Sequence, residues 1–170
     1  MIKSIIVINN HGKPRLVKFY ERMPQIKQQD WIKRAFTLVS KRADHLCSFV
    51  EDAAFYGNDT RIIYRHFATL FFIVICDLSE SELGILDLIQ VMVETLDKNF
   101  ESVCELDLIF HSPKVHTILD EIVMGGLVME TNSHEVLRAV NEIGRLEKAS
   151  EALVGSKTHK PSAGPKTTKF

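Results

Sequence analysis

Three cysteines in 170 residues are too few, and odd in number, for a disulfide framework. Cys47, Cys76 and Cys104 are widely spaced and sit among apolar neighbours such as Leu46 and Phe49, Ile75 and Leu78, and Val103 and Leu106. They therefore read as reduced thiols behaving as small hydrophobes, which points to cytosol or nucleus. An excess of charge is also missing. Lys and Arg total 21 against 22 Asp and Glu, the formal net charge is -1 and the pI is near 6.7. This balance lacks the overall basic character on which nucleic-acid binding usually rests. Long apolar runs are absent too. Phe67 to Cys76 contains Thr69 and is about half the roughly 20 residues a transmembrane helix needs. Ile5 to Ile8 is too short for a signal-peptide core and leads into Asn9-Asn10 rather than a cleavage site. Membrane association is therefore expected only through partners.

The residue patterns of catalysis are equally sparse. No Gly-rich phosphate loop or Gly-x-Ser-x-Gly elbow occurs, and Gly125-Gly126 follows a predicted helix instead of joining a strand to a helix. His111 and His116 straddle Pro113 at a spacing that does not stack two imidazoles on one helical face, and no Cys-x-x-Cys pair exists, so no metal site is expected. Glu105 and Asp107 flank Leu106; on a helix they point about 200° apart, which favours solvated or capping roles over acid–base work. His66 beside Arg65 reads as a satisfied strand histidine, since adjacent strand residues face opposite sides. No enzyme and no cofactor are expected.

What is present is a core. With 45% hydrophobic and 25% charged residues, the chain suits one compact domain that needs no staple. Met1 to Val7 is rich in β-branched residues; the turn Asn9-Asn-His-Gly-Lys-Pro14 follows, and Arg15 to Tyr20 alternates charged with apolar, predicting a β-hairpin. Trp31, Ala35, Phe36 and Val39 fall at helical spacing within about Pro24 to Arg42. Cys47 to Tyr56 and Thr60 to Asp77 are strand-like around a Gly57-Asn58-Asp59 turn, and are assigned three strands.

Ser79-x-x-Glu82 has the form of a capping box, ahead of a helix through Leu83, Leu86, Ile89, Val93 and Leu96. Cys104 to Phe110 and Val115 to Met124 are two further helical pieces broken near Pro113 and stopped by Gly125-Gly126. Asn132-x-x-Glu135 caps a last helix to about Leu146. No internal repeat is apparent. The order ββαβββ followed by helices predicts an α+β domain, over residues 1–150, with a five-stranded, mainly antiparallel sheet covered by helices. Residues 151–170 are expected to be a disordered basic C-terminal tail.

The run Ile62-Ile-Tyr-Arg-His-Phe-Ala-Thr-Leu-Phe-Phe72 resembles the signature of the clathrin-adaptor small chains. In that signature two aliphatics, Tyr and a basic residue are followed after four positions by Leu, an aromatic and Phe. The resemblance extends through Asn10-His-Gly-Lys-Pro-Arg-Leu16, Phe100-Glu-Ser-Val-Cys-Glu-Leu-Asp-Leu-Ile-Phe110 and Lys114-Val-His-Thr-Ile-Leu-Asp-Glu121, and covers about residues 1 to 148. Asn9 to Arg15, Ser79 to Gln90 and Met124-Gly-Gly126 look most like the sigma subunit of the third adaptor complex.

This resemblance implies a longin-like (SNARE-like) fold in a non-enzymatic subunit of a heterotetramer with a delta-type large chain in direct contact, a beta-type large chain and a mu medium chain. It implies recognition of acidic dileucine signals on the cytosolic tails of membrane cargo, and a cytoplasmic protein peripheral on trans-Golgi or endosomal membranes, with traffic toward lysosome or vacuole. Ala68, Leu70, Val93, Val103 and Leu108 match the family's pocket for the paired leucines, and Arg15 matches its basic residue near the acidic end of the signal. Ser102 stands at the pocket rim where a relative has Asn, and Phe71 replaces a frequent Tyr. Judged by residue type alone, the five apolar positions read as ordinary core and Arg15 as a solvated strand-end charge. The same element order also fits a free longin-type regulatory module acting on a small GTPase or a membrane-fusion protein, which copurifying proteins would distinguish.

Overall fold

A strand buried on both faces needs apolar residues at nearly every position, and Ile2–Asn9 (β1) meets that demand with only Ser4 fully buried as a polar exception before Asn9. The computed structural model describes residues 1–43 and 46–155. β1 runs through the middle of a five-stranded sheet with Pro14–Phe19 (β2), Leu70–Asp77 (β5), Thr60–Phe67 (β4) and Phe49–Val50 (β3), in the order β2-β1-β5-β4-β3 with every pair antiparallel. The α+β, longin-like architecture and its opening hairpin are as expected.

The alternation of side chains sends β1 into two separate cores. Ile6 and Ile8, with Ile62, Tyr64, Ile73 and Ile75, meet Trp31, Ala35 and Val39 of Gln25–Val39 (α1). Ile5 and Val7, with Ile63, Phe72, Val74 and Cys76, meet the later helices: Glu82–Phe100 (α3), Ser112–Ile122 (α5) and Ser133–Gly155 (α6). Register matches this division, since Ile5 pairs with Val74, Val7 with Phe72, and Ile6 with Ile73. A one-residue slip would exchange the two cores' side chains.

Several boundaries differ from the sequence reading. Of the strand expected over Cys47 to Tyr56, only Phe49–Val50 pairs, and Ala53–Tyr56 (α2) is a short helix. That turn seats Tyr56 edge-on against Trp31 at 4.9 Å, with its hydroxyl donating to the Trp31 carbonyl at 2.8 Å. The N-cap of α3 is Ser81, whose hydroxyl accepts from Gly84 N–H at 3.3 Å. Ser79 is occupied in the preceding turn, where its N–H donates to Asp77 Oδ1 at 3.0 Å.

The buried face of α3 is correspondingly rotated. Ile85, Leu88, Ile89, Met92 and Leu96 are buried, whereas Leu83 is exposed and Leu86 and Val93 are half-buried. Pro113 lies in the first turn of α5, where its missing N–H costs nothing. Val123–Met124 (β6) is not helical but pairs with Leu127–Val128 (β7) around Gly125-Gly126. Gly126 has φ +83°, and a Cβ there would stand 2.4 Å from the Ile2 carbonyl oxygen, so this crossing requires glycine.

The last helix starts as predicted, with His134 N–H donating to Asn132 Oδ1 at 3.0 Å, but continues past Leu146 to Gly155. The tail assigned to 151–170 thus begins inside that helix, and from 156 onward it lies outside the described residues.

Candidate functional site

Asn9 organises one end of the sheet. It is buried, and its Oδ1 accepts from the N–H groups of His11 (3.1 Å) and Lys13 (2.8 Å), which closes the β1–β2 turn. Its Nδ2 donates to Glu105 Oε1 at 3.0 Å. In the hairpin, Val7 pairs with Leu16 and Ile8 with Pro14, so Arg15 is the extra residue of a bulge. Bulges re-aim a side chain out of the ladder. Leu16 stays in the core while Arg15 reaches Glu105, Nε donating to Oε1 at 2.7 Å.

Glu105 opens Glu105–Phe110 (α4), so this one carboxylate ties the turn, the bulge and the helix together. Its carboxyl is held below the usual carboxylate range by the Asn9 amide first, then by the Arg15 guanidinium and the nearby His11, against the cost of burial. Asp107 has a different task, its carboxylate accepting from Cys104 N–H at 2.9 Å at the start of α4. The capping alternative therefore holds for Asp107, while Glu105 is an ion-pair partner.

The β4–β5 hairpin lies beside that turn, with Asn10 N–H donating to the Thr69 carbonyl at 3.0 Å. Ala68, in the two-residue connection between Phe67 and Leu70, is exposed and has φ +51°. Leu70 turns inward. Together with Leu108 it belongs to the larger core, against which Val93, Val103, Phe67 and Phe100 pack half-buried. Leu70 and Leu108 are only 6% and 1% exposed, so most apolar surface on offer here belongs to the half-buried residues and Ala68.

The link from α3 to α4 is unusual. Glu101 and Ser102 have φ +52° and +90°, a region that residues with a Cβ seldom adopt. Asp97 holds the link: its carbonyl accepts from Ser102 N–H at 3.3 Å, and its Oδ1 accepts from Val103 N–H at 2.8 Å. Ser102 is thereby exposed at the rim and Val103 directed against the core. Clustered strain of this kind is common where a surface is shaped for binding.

Of the seven residues singled out in the sequence, Arg15 is tied to α4 through Glu105, Ala68 lies in the turn bonded to the β1–β2 turn, Leu70, Val93, Val103 and Leu108 belong to one apolar cluster, and Ser102 is exposed beside Val103. Sequence reasoning missed Asn9, Asp97, Phe67 and Phe100 as supports. Asn9 and Asp97 act through side-chain bonds across 96 and 6 residues of separation, which no periodicity reports. Phe71 is half-buried, its ring stacked on the His66 ring at 4.2 Å and edge-on to Phe36 at 6.4 Å. Among the described residues no three His, Cys, Asp or Glu side chains are grouped to hold a metal ion, and no helix is long and apolar enough to cross a membrane.

Comparison with known proteins places the chain in a family. The family described as Clathrin adaptor complex small chain matches residues 1–147. The AP-3 complex subunit sigma-2 of Homo sapiens is 56% identical over 164 residues, spanning 96% of this chain and 85% of that one. The AP-3 complex subunit sigma of Dictyostelium discoideum is 59% identical over 157 residues, spanning 91% and 92%. That of Arabidopsis thaliana is 50% identical over 153 residues, spanning 90% and 92%. A chain in a homology model of the full-length AP-3 complex in a stretched open conformation superposes with a TM-score of 0.69 at 38% identity, covering 89% of this chain and 98% of that one.

Proposed function

The chain belongs to the family of clathrin adaptor complex small chains, structural components of vesicle trafficking and not enzymes, and on that premise we propose that it holds acidic dileucine sorting signals for an AP-3-type adaptor. The observation that carries this reading is the convergence at one sheet end of a half-buried apolar surface and a guanidinium. Val93 and Val103, with exposed Ala68 beside them and buried Leu70 and Leu108 in the same cluster, supply the first and Arg15 the second, with Ser102 on the rim. Two leucines placed on that surface lose water contact worth about 1.5–3 kcal/mol each when fully buried. A carboxylate upstream of them meets Arg15 through a charge-assisted hydrogen bond.

In this reading the chain sits against a delta-type large chain in a heterotetramer completed by a beta-type large chain and a mu medium chain. The cargo tails reach it from trans-Golgi or endosomal membranes bound for lysosome or vacuole. Exposed apolar residues support a partner-covered surface: Met124, Leu127, Val128 and Met129 on the small hairpin, and Leu106, Ile109 and Phe110 on α4. Patches of this kind mark protein interfaces.

The test is expression with an affinity tag and mass spectrometry of whatever copurifies in stoichiometric amount. Recovery of delta, beta and mu chains is expected, followed by binding of the purified complex to a dileucine peptide that fails when the leucines are replaced. Recovery of a small GTPase or a fusion protein in their place would sink the proposal.

A further inference from the structure

β4 is covered along its outer edge for only part of its length. Phe49 and Val50 of β3 pair with Ile63 and Ile62, and the Tyr64 N–H donates to the Ser48 carbonyl at 3.0 Å. There the covering chain turns away, with Leu46 N–H donating back to the Ala43 carbonyl at 3.0 Å. Backbone groups alternate in direction along a strand, so the N–H and C=O of His66 face the same outer side as those of Tyr64. Among the described residues no strand pairs with them. A cavity of about 540 Å³ lies in this gap, lined by Tyr64, His66 and Phe71 from the sheet and by Arg42, Leu46 and Ser48 from the departing chain. Arg42 is half-buried and, among the described residues, bonded only to neutral groups: Nε to the Tyr64 hydroxyl at 3.2 Å and Nη2 to the Cys47 carbonyl at 2.8 Å. Tyr64 and Phe71 pack with the smaller core on the α1 face, whereas the apolar cluster of the signal site belongs to the other face.

We propose that this open edge of β4 docks an extended acidic segment of a partner protein, which continues the sheet where β3 stops and sets a carboxylate against Arg42. Strand addition of this kind takes affinity from main-chain hydrogen bonds and selectivity from alternate side chains. The residue paired with His66 exchanges two main-chain bonds with it. Directly paired residues share a face, so its side chain enters the cavity, where a carboxylate forms a charge-assisted hydrogen bond with the guanidinium. The chain's own residues 156–170 are excluded by charge, carrying four lysines and no Asp or Glu. A lipid headgroup would satisfy Arg42 but leave the His66 main chain unpaired.

The probe is a short fluorescent peptide that alternates Glu with Val, so that all its carboxylates lie on one face when extended. It is offered to the purified complex carrying wild-type, R42Q, R42K or H66P chain, beside one peptide with Gln for Glu and one methylated on the glutamate main-chain nitrogens. Wild type is expected to bind the Glu peptide about fivefold more tightly than the Gln peptide, and the methylated peptide not at all. R42Q brings the Glu-to-Gln ratio close to one, and R42K, which keeps the charge, retains most of it. H66P deletes an N–H that the sheet does not use, a change an edge strand tolerates. It is expected to weaken both peptides to a similar degree and leave their ratio unchanged.

Because the ratio is taken on one complex, a general loss of fold or affinity cancels from it. Equal binding of the Glu and Gln peptides to wild type, or full binding of the methylated one, would overturn the proposal, as would failure of any peptide to bind. Phosphatidylserine vesicles serve as the competing arm: if they bind wild type, lose R42Q, and the peptides show no preference for Glu, the edge faces a membrane and the acidic segment is ruled out.

Discussion

The two ends of the central sheet are built from different materials. At the end where β5 finishes, the chain closes on main-chain bonds and glycine. Ile2 N–H donates to the Gly126 carbonyl at 2.9 Å, Asp77 N–H to the Met1 carbonyl at 3.1 Å, and left-handed positions are filled by Gly57, Gly125 and Gly126. At the other end, where β5 begins, Ala68, Glu101 and Ser102 take positive φ despite carrying a Cβ, and apolar side chains stop half-buried. Gly12 is the exception at that end, and the Phe36 ring 2.9 Å from its would-be Cβ gives the reason. Where only closure matters, glycine adopts the turn without strain; at the site end, side chains are retained at strained positions and the surface they shape is left open.

Four substitutions test that contrast. The largest effect is expected at the closed end. Gly126→Ala places a methyl against the Ile2 carbonyl at positive φ, and should cost about 3 kcal/mol. That lowers the melting temperature of the purified chain by about 6–12 °C, while dileucine-peptide binding by surviving complex is unchanged; lost binding with intact stability would break the comparison.

Val103→Ser comes next, at the open end. Removing half-buried apolar surface there should weaken dileucine-peptide binding about tenfold, or ~1.4 kcal/mol, with a melting shift smaller than that of Gly126→Ala. A normal peptide affinity would exclude Val103 from the binding surface.

Ser102→Gly should act in the opposite direction on stability. Glycine adopts φ +90° freely, so about 0.5–1 kcal/mol is gained in urea unfolding. Destabilisation would show that the Ser102 backbone is not strained.

The smallest effect is a pH dependence of the closed end. The Met1 ammonium 2.6 Å away, with Ser79, lowers the Asp77 carboxyl from 3.8 to about 2. A carboxyl lowered on folding contributes stability that is complete above its unfolded value and is lost as pH falls through the folded one. Asp77→Asn should therefore lower stability slightly near neutrality, flatten the unfolding curve between about pH 4 and pH 2, and match the wild type below that; an unaltered acid limb would remove Asp77 from the account.

Much of the fold was legible because the hydrophobic periods are strong. β1, β4, β5 and α1 lie close to where alternation and helical spacing put them. The misreadings occur where one signal had two solutions. Cys47 to Tyr56 is apolar enough for a strand, yet Tyr56 is worth more packed on Trp31 from a helical turn. Ser79 and Ser81 can both cap a helix, and the Asp77 turn claimed the first. For the site, residue type alone could not separate Leu70 or Val93 from core, because a binding surface for leucines and a hydrophobic core use the same chemistry. The family resemblance named those positions, and the fold brought them together.

By itself the sequence determined the class of the molecule. Apolar content and a ββαβββ pattern mark one α+β domain, because periodicity and composition are local properties carried by neighbouring residues, and the motif of residues 62–72 marks its family. Tertiary structure decided which residues share a surface and what state they are in. Arg15 and Glu105 are 90 residues apart in the chain and 2.7 Å apart in space. Only the bulge in β2, the buried Asn9 and the docking of α4 make that guanidinium part of a neutral pair, since charge, unlike hydrophobic pattern, depends on what folding places beside it.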